Sequence, residues 1–158
     1  MQVGRDFFIG FFITLVPFNL FSVFLPVINN TMELKIEKNE KYVIVKLLDK
    51  ALDKTNSNEL SSRLIALNKE GVKNIILDMS NIFNCDSSGI RTLEEAKKMC
   101  EKANASFVIC GIDKDIRAVF KLVDLDKVVS ICPTIDEAKD LIFMEELERD
   151  LLKDENNE

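Results

Sequence analysis

Four consecutive residues, Asp86-Ser87-Ser88-Gly89, have the types and spacing that suggest chemistry. They follow an apolar run at 74–78 and come just before a run with helical periodicity over 90–101. The start of a helix leaves backbone N–H groups unpaired and carries a partial positive charge, so an oxygen or a phosphate group finds donors there. Asp86 and Ser87 therefore either cap a helix, as short polar residues commonly do, or Ser87 is a site of covalent modification.

The composition argues against other kinds of chemistry. The chain contains no histidine, so the usual base for a serine or cysteine nucleophile is missing. The four cysteines are far apart and form no Cys-x-x-Cys pair, which indicates buried thiols of a reducing compartment and not a zinc or redox site. No phosphate-binding loop or dinucleotide fingerprint is present. We therefore expect no catalytic residue, no cofactor and no metal. A small α/β hydrolase using Ser87 or Asp86 is the enzyme alternative.

The charge is concentrated at the C-terminus. The formal net charge is -6, and residues 145–158 contain seven acids and two bases, which is -5 for that segment alone. The rest of the chain is nearly neutral and lacks the basic stripe that would neutralise phosphates, so we expect no binding to nucleic acid. We interpret 145–158 as an acidic tail, a solvated helix end that frays into disorder; the alternative is a specific patch for a partner.

The elements that must position the four residues alternate between strand and helix. Leu60, Leu64 and Leu67 recur at helical spacing, and a Thr134-x-x-Glu137 capping box opens a last helix with Ala138, Leu141, Ile142 and Leu147 facing inward. Strands are predicted at 34–36, 42–47, 75–77, 107–110 and 128–131, the first two as a hairpin. This pattern predicts an α/β fold: a mixed, mostly parallel five-stranded sheet packed with about four helices. Functional groups of such sheets gather where strands lead into helices, as at 84–89.

The run at 74–90, Asn-Ile-Ile-Leu-Asp-Met-Ser-Asn-Ile-Phe-Asn-Cys-Asp-Ser-Ser-Gly-Ile, resembles the signature of the STAS domain, particularly in small bacterial single-domain members. The segments 107–111, 116–122, 128–131 and 134–138 resemble the strands and helices that follow it in this family. Leu52-Asp53 resembles the family's Gly-x-Leu-Asp turn, with Lys50 at the glycine position. The resemblance covers 32–144, which we take as the domain.

The resemblance implies an anti-sigma factor antagonist that acts by partner switching. In that family the serine corresponding to Ser87 is phosphorylated by an ATP-dependent serine kinase that is itself the anti-sigma factor. The unmodified antagonist binds the anti-sigma factor, which releases the sigma factor for transcription. Phosphorylation prevents this binding until a PPM-type phosphatase removes the phosphate. The alternative within the family is a STAS scaffold, or a membrane-tethered signalling module, that is never phosphorylated.

The resemblance also implies a partner-binding surface made of Asp53, Asp86, Ser88, Gly89 and Ile90. The residue types also suggest what each of these residues does locally. Asp86 caps the helix, Ser88 bonds backbone groups in the turn, Gly89 allows close approach of a partner, Ile90 is the first core residue of the helix and Asp53 lies in a surface turn. A monomer suits such a module.

The N-terminal segment 1–31 differs from everything after it. Residues 7–28 carry no charged side chain and include seven of the eleven phenylalanines. As a helix this stretch would be about 33 Å long, enough to cross a hydrocarbon core of roughly 30 Å, although Pro17 weakens such a helix. Three interpretations stay open: an upstream start wrongly assigned, with Met32 as the natural initiator; a membrane anchor; or a signal or buried helix. We expect the domain in the cytoplasm, or, with an anchor, at the inner membrane facing the cytoplasm.

Overall fold

The computed structural model describes residues 31–155. The predicted apolar stretch at 7–28 lies outside the described residues, as do the last three residues of the chain. Within the described part, no helix is both long and apolar enough to cross a membrane.

Between residues 31 and 155, seven strands and four α-helices follow one another, with a single turn of 3₁₀-helix at Leu125–Lys127. In chain order they are β1 Leu34–Lys38, β2 Val43–Leu47, β3 Ala51–Leu52, α1 Ser57–Lys69, β4 Ile75–Asp78, β5 Asn84–Cys85, α2 Ser87–Lys102, β6 Phe107–Cys110, α3 Lys114–Leu122, β7 Ser130–Cys132 and α4 Ile135–Glu155. The main sheet has the order β1-β2-β4-β6-β7, with β1 antiparallel to β2 and every other pairing parallel. The predicted mixed, mostly parallel five-stranded sheet with four helices is confirmed.

The side chains of the strands alternate between two apolar layers, as the period of a β-strand requires. On one face Val43, Val45 and Leu47 of β2 belong to the main core, together with buried leucines of α1 and α2. On the other face Ile76 and Val108 pack with Ala138 and Ile142 of α4. Helices α1, α2 and α3 thus contribute to one core and α4 to the other, so the central strands are buried on both sides.

Several boundaries differ from those that the sequence predicts. Helix α2 begins at Ser87 and not at Ile90, because the side chain of Asp86, four residues before Ile90, caps the helix. The last strand is 130–132 and not 128–131, because the 3₁₀ turn reaches Lys127 after Asp124 takes a left-handed conformation with φ 57°. The expectation that Leu147 faces inward is wrong, since its side chain is 53% exposed.

The acidic segment does not separate from the domain at residue 145, where we placed the start of the tail. Helix α4 continues to Glu155, and its middle is anchored to buried polar residues that precede β4 and β6. The Arg149 guanidinium donates to Ser106 Oγ at 2.9 Å and to Asn74 Oδ1 at 3.2 Å. Glu146 accepts from Asn74 Nδ2 at 2.7 Å, and Glu145 accepts from the Ser106 hydroxyl. Because Asn74 and Ser106 are buried and need partners, this network holds the helix on the sheet.

All four cysteines are free. Cys85, Cys100 and Cys110 are buried and Cys132 is half-buried, in keeping with the expected buried thiols. Burial raises the pKa of Cys85 to about 12, helped by the nearby Asp86 carboxylate, and raises that of Cys110 to about 12. These thiols are therefore protonated at neutral pH.

Candidate functional site

A small second sheet brings the candidate residues together. Its two strands, β3 and β5, are parallel, with Ala51 opposite Asn84 and Leu52 opposite Cys85. The residues that follow each strand, Asp53 and Asp86, therefore leave the sheet side by side at its carboxyl end. Sequence periodicity did not reveal this sheet, because a strand of two residues is too short to show alternation.

Asp86 ties the two turns together through its side chain and its backbone. One carboxylate oxygen accepts from the backbone N–H of Gly89 at 3.0 Å, which caps α2, and the other accepts from the backbone N–H of Lys54 at 3.1 Å. The backbone N–H of Asp86 donates to the carbonyl of Leu52 at 3.1 Å. A carboxylate with both oxygens engaged stabilises the helix start and also fixes the loop before α1 against the loop before α2.

Ser87 is the first residue of α2, and its side chain is exposed. Within residues 31–155 its hydroxyl makes no hydrogen bond. The cap is supplied by Asp86, so the Ser87 oxygen is not needed to hold the helix start. The Ser87 hydroxyl therefore lies exposed at the first position of the helix, where a negative charge is tolerated.

The next three residues are less exposed than Ser87. Ser88 is half-buried, and its carbonyl, not its hydroxyl, takes part in the hydrogen bond found there, accepting from the Thr92 hydroxyl at 3.1 Å. Gly89 is buried, and a Cβ on it would lie 2.6 Å from the Leu52 carbonyl oxygen, so the close approach that this glycine permits is made by the chain itself. Ile90 is half-buried and packs on the main core, as its core interpretation requires.

Asp53 builds the turn that leads into α1. Its carboxylate accepts from the Thr55 hydroxyl at 2.6 Å and from the Thr55 backbone N–H at 2.8 Å, and these bonds hold the pKa of Asp53 below its ordinary value. Its backbone N–H donates to the Asn56 side chain at 2.9 Å. Asp53 is half-buried and precedes Lys54, so it lies on the same edge as Asp86.

Phe83 is an exposed aromatic residue just before β5 that sequence reasoning did not single out. Its side chain is 62% exposed, and its backbone N–H donates to the carbonyl of Lys50 at 2.8 Å. It therefore presents an aromatic ring on the loop that leads into β5. No signal in the sequence separates this phenylalanine from a core residue. Lys50 has no positive φ, so a lysine takes the place of the family's glycine without backbone strain.

Comparisons with known proteins agree with this geometry. The family model of the STAS domain matches residues 33–138. A putative anti-sigma factor antagonist from Thermotoga maritima superposes with a TM-score of 0.63 at 23% identity, covering 69% of this chain and 93% of that one. An anti-sigma factor antagonist from Mycobacterium paratuberculosis gives 0.64 at 19% identity, with 70% and 93% covered.

The cell fate determinant SpoIIAA of Bacillus, solved in its phosphorylated form, gives a TM-score of 0.55 at 20% identity, with 70% of this chain and 99% of that chain covered. At these identities the solved structures establish a shared fold. The family match spans most of the described residues, including both turns of the site. The chain therefore belongs to the STAS domain family.

Proposed function

We propose that this protein is an anti-sigma factor antagonist whose binding to an anti-sigma factor is switched off by phosphorylation of Ser87. The observation that carries the proposal is the exposed hydroxyl of Ser87 at the start of α2, which makes no hydrogen bond within the described part of the chain and follows the residue, Asp86, that caps the helix. The Ser87 hydroxyl can therefore be phosphorylated without the loss of a hydrogen bond that holds the fold. SpoIIAA, a protein of the same fold, has been solved in both unphosphorylated and phosphorylated forms.

The electrostatic effect of the modification is large enough for a switch. Phosphorylation adds about -1.5 to -2 charges at neutral pH. Facing a carboxylate of the partner at roughly 4 Å, with an effective dielectric constant near 20, a single unit charge costs about 4 kcal/mol. That corresponds to about a thousandfold loss of affinity. The antagonist itself tolerates the same charge, because the helix start attracts anions.

The partner surface in this proposal comprises Asp53, Asp86, Ser88, Gly89 and Ile90. Asp53 and Asp86 have partly exposed carboxylates at the carboxyl end of the small sheet. The buried Gly89 and the half-buried Ile90 pack beneath this surface and support it. The exposed ring of Phe83, which directly precedes β5, would add an apolar contact at the amino end of that strand, the end opposite Asp86. Polar groups around one aromatic anchor are typical of a protein-binding site.

The proposal assigns no reaction to the chain itself. The sequence contains no histidine to serve as a general base, and the chain is the substrate of a kinase and of a PPM-type phosphatase. We place the domain in the cytoplasm as a monomer, because its kinase requires ATP and each switching step needs the Ser87 face free.

Incubation with the anti-sigma factor kinase of the same organism and ATP tests the proposal. We expect the intact mass to rise by about 80 Da, the mass of one phosphoryl group, and a PPM-type phosphatase to reverse the gain. Ser87→Ala should abolish the gain, and Ser88→Ala, one residue further on, should keep it. Binding of the unmodified chain to the kinase, lost after phosphorylation, completes the switch. A chain that binds the kinase and never gains mass would be a scaffold.

A further inference from the structure

Helix α4 carries apolar residues on two opposite sides. Its inner side holds Ala138 and Ile142, which are buried against the sheet. Two turns beyond Ile142, Arg149 on the same side is bonded to Ser106 and Asn74. These contacts fix the rotation of the helix, so the residues opposite them must face away from the sheet.

The residues that face away form a continuous apolar stripe. Phe143 is 57% exposed, Met144 67%, Leu147 53% and Leu151 60%. Met144, Leu147 and Leu151 recur at spacings of three, four and seven residues, and Phe143 precedes Leu147 by four, which places them on one side of a helix. We call these four residues the outer stripe. Single exposed apolar residues are ordinary on protein surfaces, whereas a contiguous patch marks an interaction site.

The charges around the outer stripe identify what it binds. Residues 140–155 contain seven acids and two bases, a net charge of -5. Of the two bases, Arg149 is bonded to the inner network and Lys153 is paired with Asp150 at 3.2 Å. From outside this segment, the Lys41 ammonium lies 5.4 Å from the centroid of the Phe143 ring. The exposed acids border the stripe on both sides and at both ends: Asp140, Glu148, Asp150, Asp154 and Glu155. An apolar stripe bordered mainly by carboxylates is complementary to an apolar stripe bordered by Lys and Arg.

The same charges disfavour two other occupants. If a second copy of the chain paired through its own outer stripe, carboxylates would face carboxylates along both edges, and such pairs repel. A membrane surface attracts helices with Lys and Arg on the polar side, and anionic lipids would repel this one.

The surface is also separate from the Ser87 site. The family match ends at residue 138, before the outer stripe begins. Helix α4 packs on one face of the sheet, and α2, which begins with Ser87, packs on the other. A partner on α4 therefore leaves the Ser87 edge accessible.

We propose that the outer stripe of α4 is a docking surface for a basic amphipathic helix of a partner protein, distinct from the partner of the Ser87 edge. A heptad or i, i+4 apolar pattern on that helix would cover the stripe, and its Lys and Arg residues would face the bordering acids.

The experiment titrates the full chain with a synthetic 21-residue helical peptide that has Leu at heptad positions a and d and Lys at e and g. A matched peptide has Glu in place of Lys. We expect binding of the Lys peptide that weakens as salt is raised, and at least about tenfold weaker binding by a Leu147→Ser, Leu151→Ser variant. Leu122→Ser is the matched control, because Leu122 is 85% exposed on α3 and lies off the stripe; it should bind like the unmodified chain. Circular dichroism confirms that each variant is folded.

Two further variants separate this surface from the Ser87 site. Asp140→Asn with Asp154→Asn should weaken binding of the Lys peptide and flatten its salt dependence, whereas Ser87→Glu should leave it unchanged. Equal binding of the Glu peptide, no binding of the Lys peptide, or equal loss in Leu122→Ser would overturn the proposal. So would a dimer in sedimentation, or binding to phosphatidylserine vesicles, that Leu147→Ser abolishes, since these would identify a second copy or a membrane as the occupant.

Discussion

The Asp86 carboxylate accepts a hydrogen bond from the backbone N–H of Lys54 at 3.1 Å, although the two residues are 32 positions apart. With its other oxygen, Asp86 caps α2 through the N–H of Gly89. One side chain therefore fixes the position of Ser87 relative to the turn that contains Asp53. The switch residue stands on a rigid edge, because its neighbour is bonded in two directions.

Removal of this carboxylate should destabilise the domain. We expect Asp86→Ala to lower the free energy of unfolding by about 1–2 kcal/mol, the usual cost of losing an N-cap, since two backbone N–H groups lose their acceptor. Urea denaturation followed by circular dichroism measures it. Asp86→Asn keeps one acceptor oxygen, so its free energy of unfolding should lie between those of the unmodified chain and of Asp86→Ala. An Asp86→Ala chain as stable as the original would show that water replaces the carboxylate at no cost.

A negative charge at Ser87 should separate binding from folding. We expect Ser87→Glu to leave the free energy of unfolding unchanged or to raise it by about 0.3–1 kcal/mol, because an acid in the first turn of a helix interacts favourably with the helix dipole. Binding to the anti-sigma factor should nevertheless weaken strongly. Chemical denaturation and titration calorimetry on the same sample give both quantities, with Ser87→Gln as the neutral control. Loss of folding in Ser87→Glu would contradict a switch that acts only at the interface.

The packing at Gly89 should not tolerate a methyl group. A Cβ there would lie 2.6 Å from the Leu52 carbonyl oxygen and 2.8 Å from Cys85 Sγ. We expect Gly89→Ala to cost about 1–3 kcal/mol of unfolding free energy, the usual range for overpacking, although alanine otherwise favours a helix. Ser88→Ala is the neighbouring control and should change stability little. Equal stabilities of the two variants would mean that β3 moves aside freely.

The buried thiols should make the domain less stable at high pH. Burial raises the pKa of Cys85 to about 12, above the ordinary thiol value of 9.0. Below pH 9 the thiol is protonated in both the folded and the unfolded chain, so its ionisation does not change the free energy of unfolding. Between about pH 9 and 12 only the unfolded chain releases the proton, so the free energy of unfolding should fall as pH rises. Denaturation across this range should show a shallower decline for Cys85→Ala than for the unmodified chain, while Cys132→Ala, at the half-buried thiol, changes the slope less. Parallel slopes for all three proteins would count against this assignment.

The anchor of α4 should govern the mobility of its last turns. Arg149→Ala leaves the buried Asn74 and Ser106 with fewer partners, so we expect a loss of about 1 kcal/mol or more and faster amide exchange after Glu146. Lys153→Ala, which removes only the exposed pair with Asp150, should leave the exchange rates unchanged. Hydrogen exchange with mass spectrometry measures both. Unchanged exchange in Arg149→Ala would mean that apolar packing alone holds the helix.

Periodicity was a sound guide wherever an element is long and uniformly buried on one side. The leucines at 60, 64 and 67 are all buried, and the strand at 107–110 has the predicted bounds. It was a poor guide to the start of α2, which it placed at Ile90, because a cap is a hydrogen bond to a polar residue that lies before the apolar pattern begins. Periodicity also predicted that Leu147 faces the core, because an apolar residue type does not by itself show whether its side of the helix is buried.

By itself the sequence determined the α/β class, the sheet with its helices, and a polar, capped helix start at Ser87, because these follow from the residue types within a few positions of one another. Only the tertiary structure decided that the backbone N–H of Lys54 bonds to Asp86 and that Leu52 occupies the space beside Gly89. It also decided that Arg149 anchors one side of α4 to the sheet and leaves the opposite side exposed. Each of these contacts joins segments more than 30 residues apart in the chain, and their meeting depends on strand register and helix rotation, which the packing of the whole domain sets.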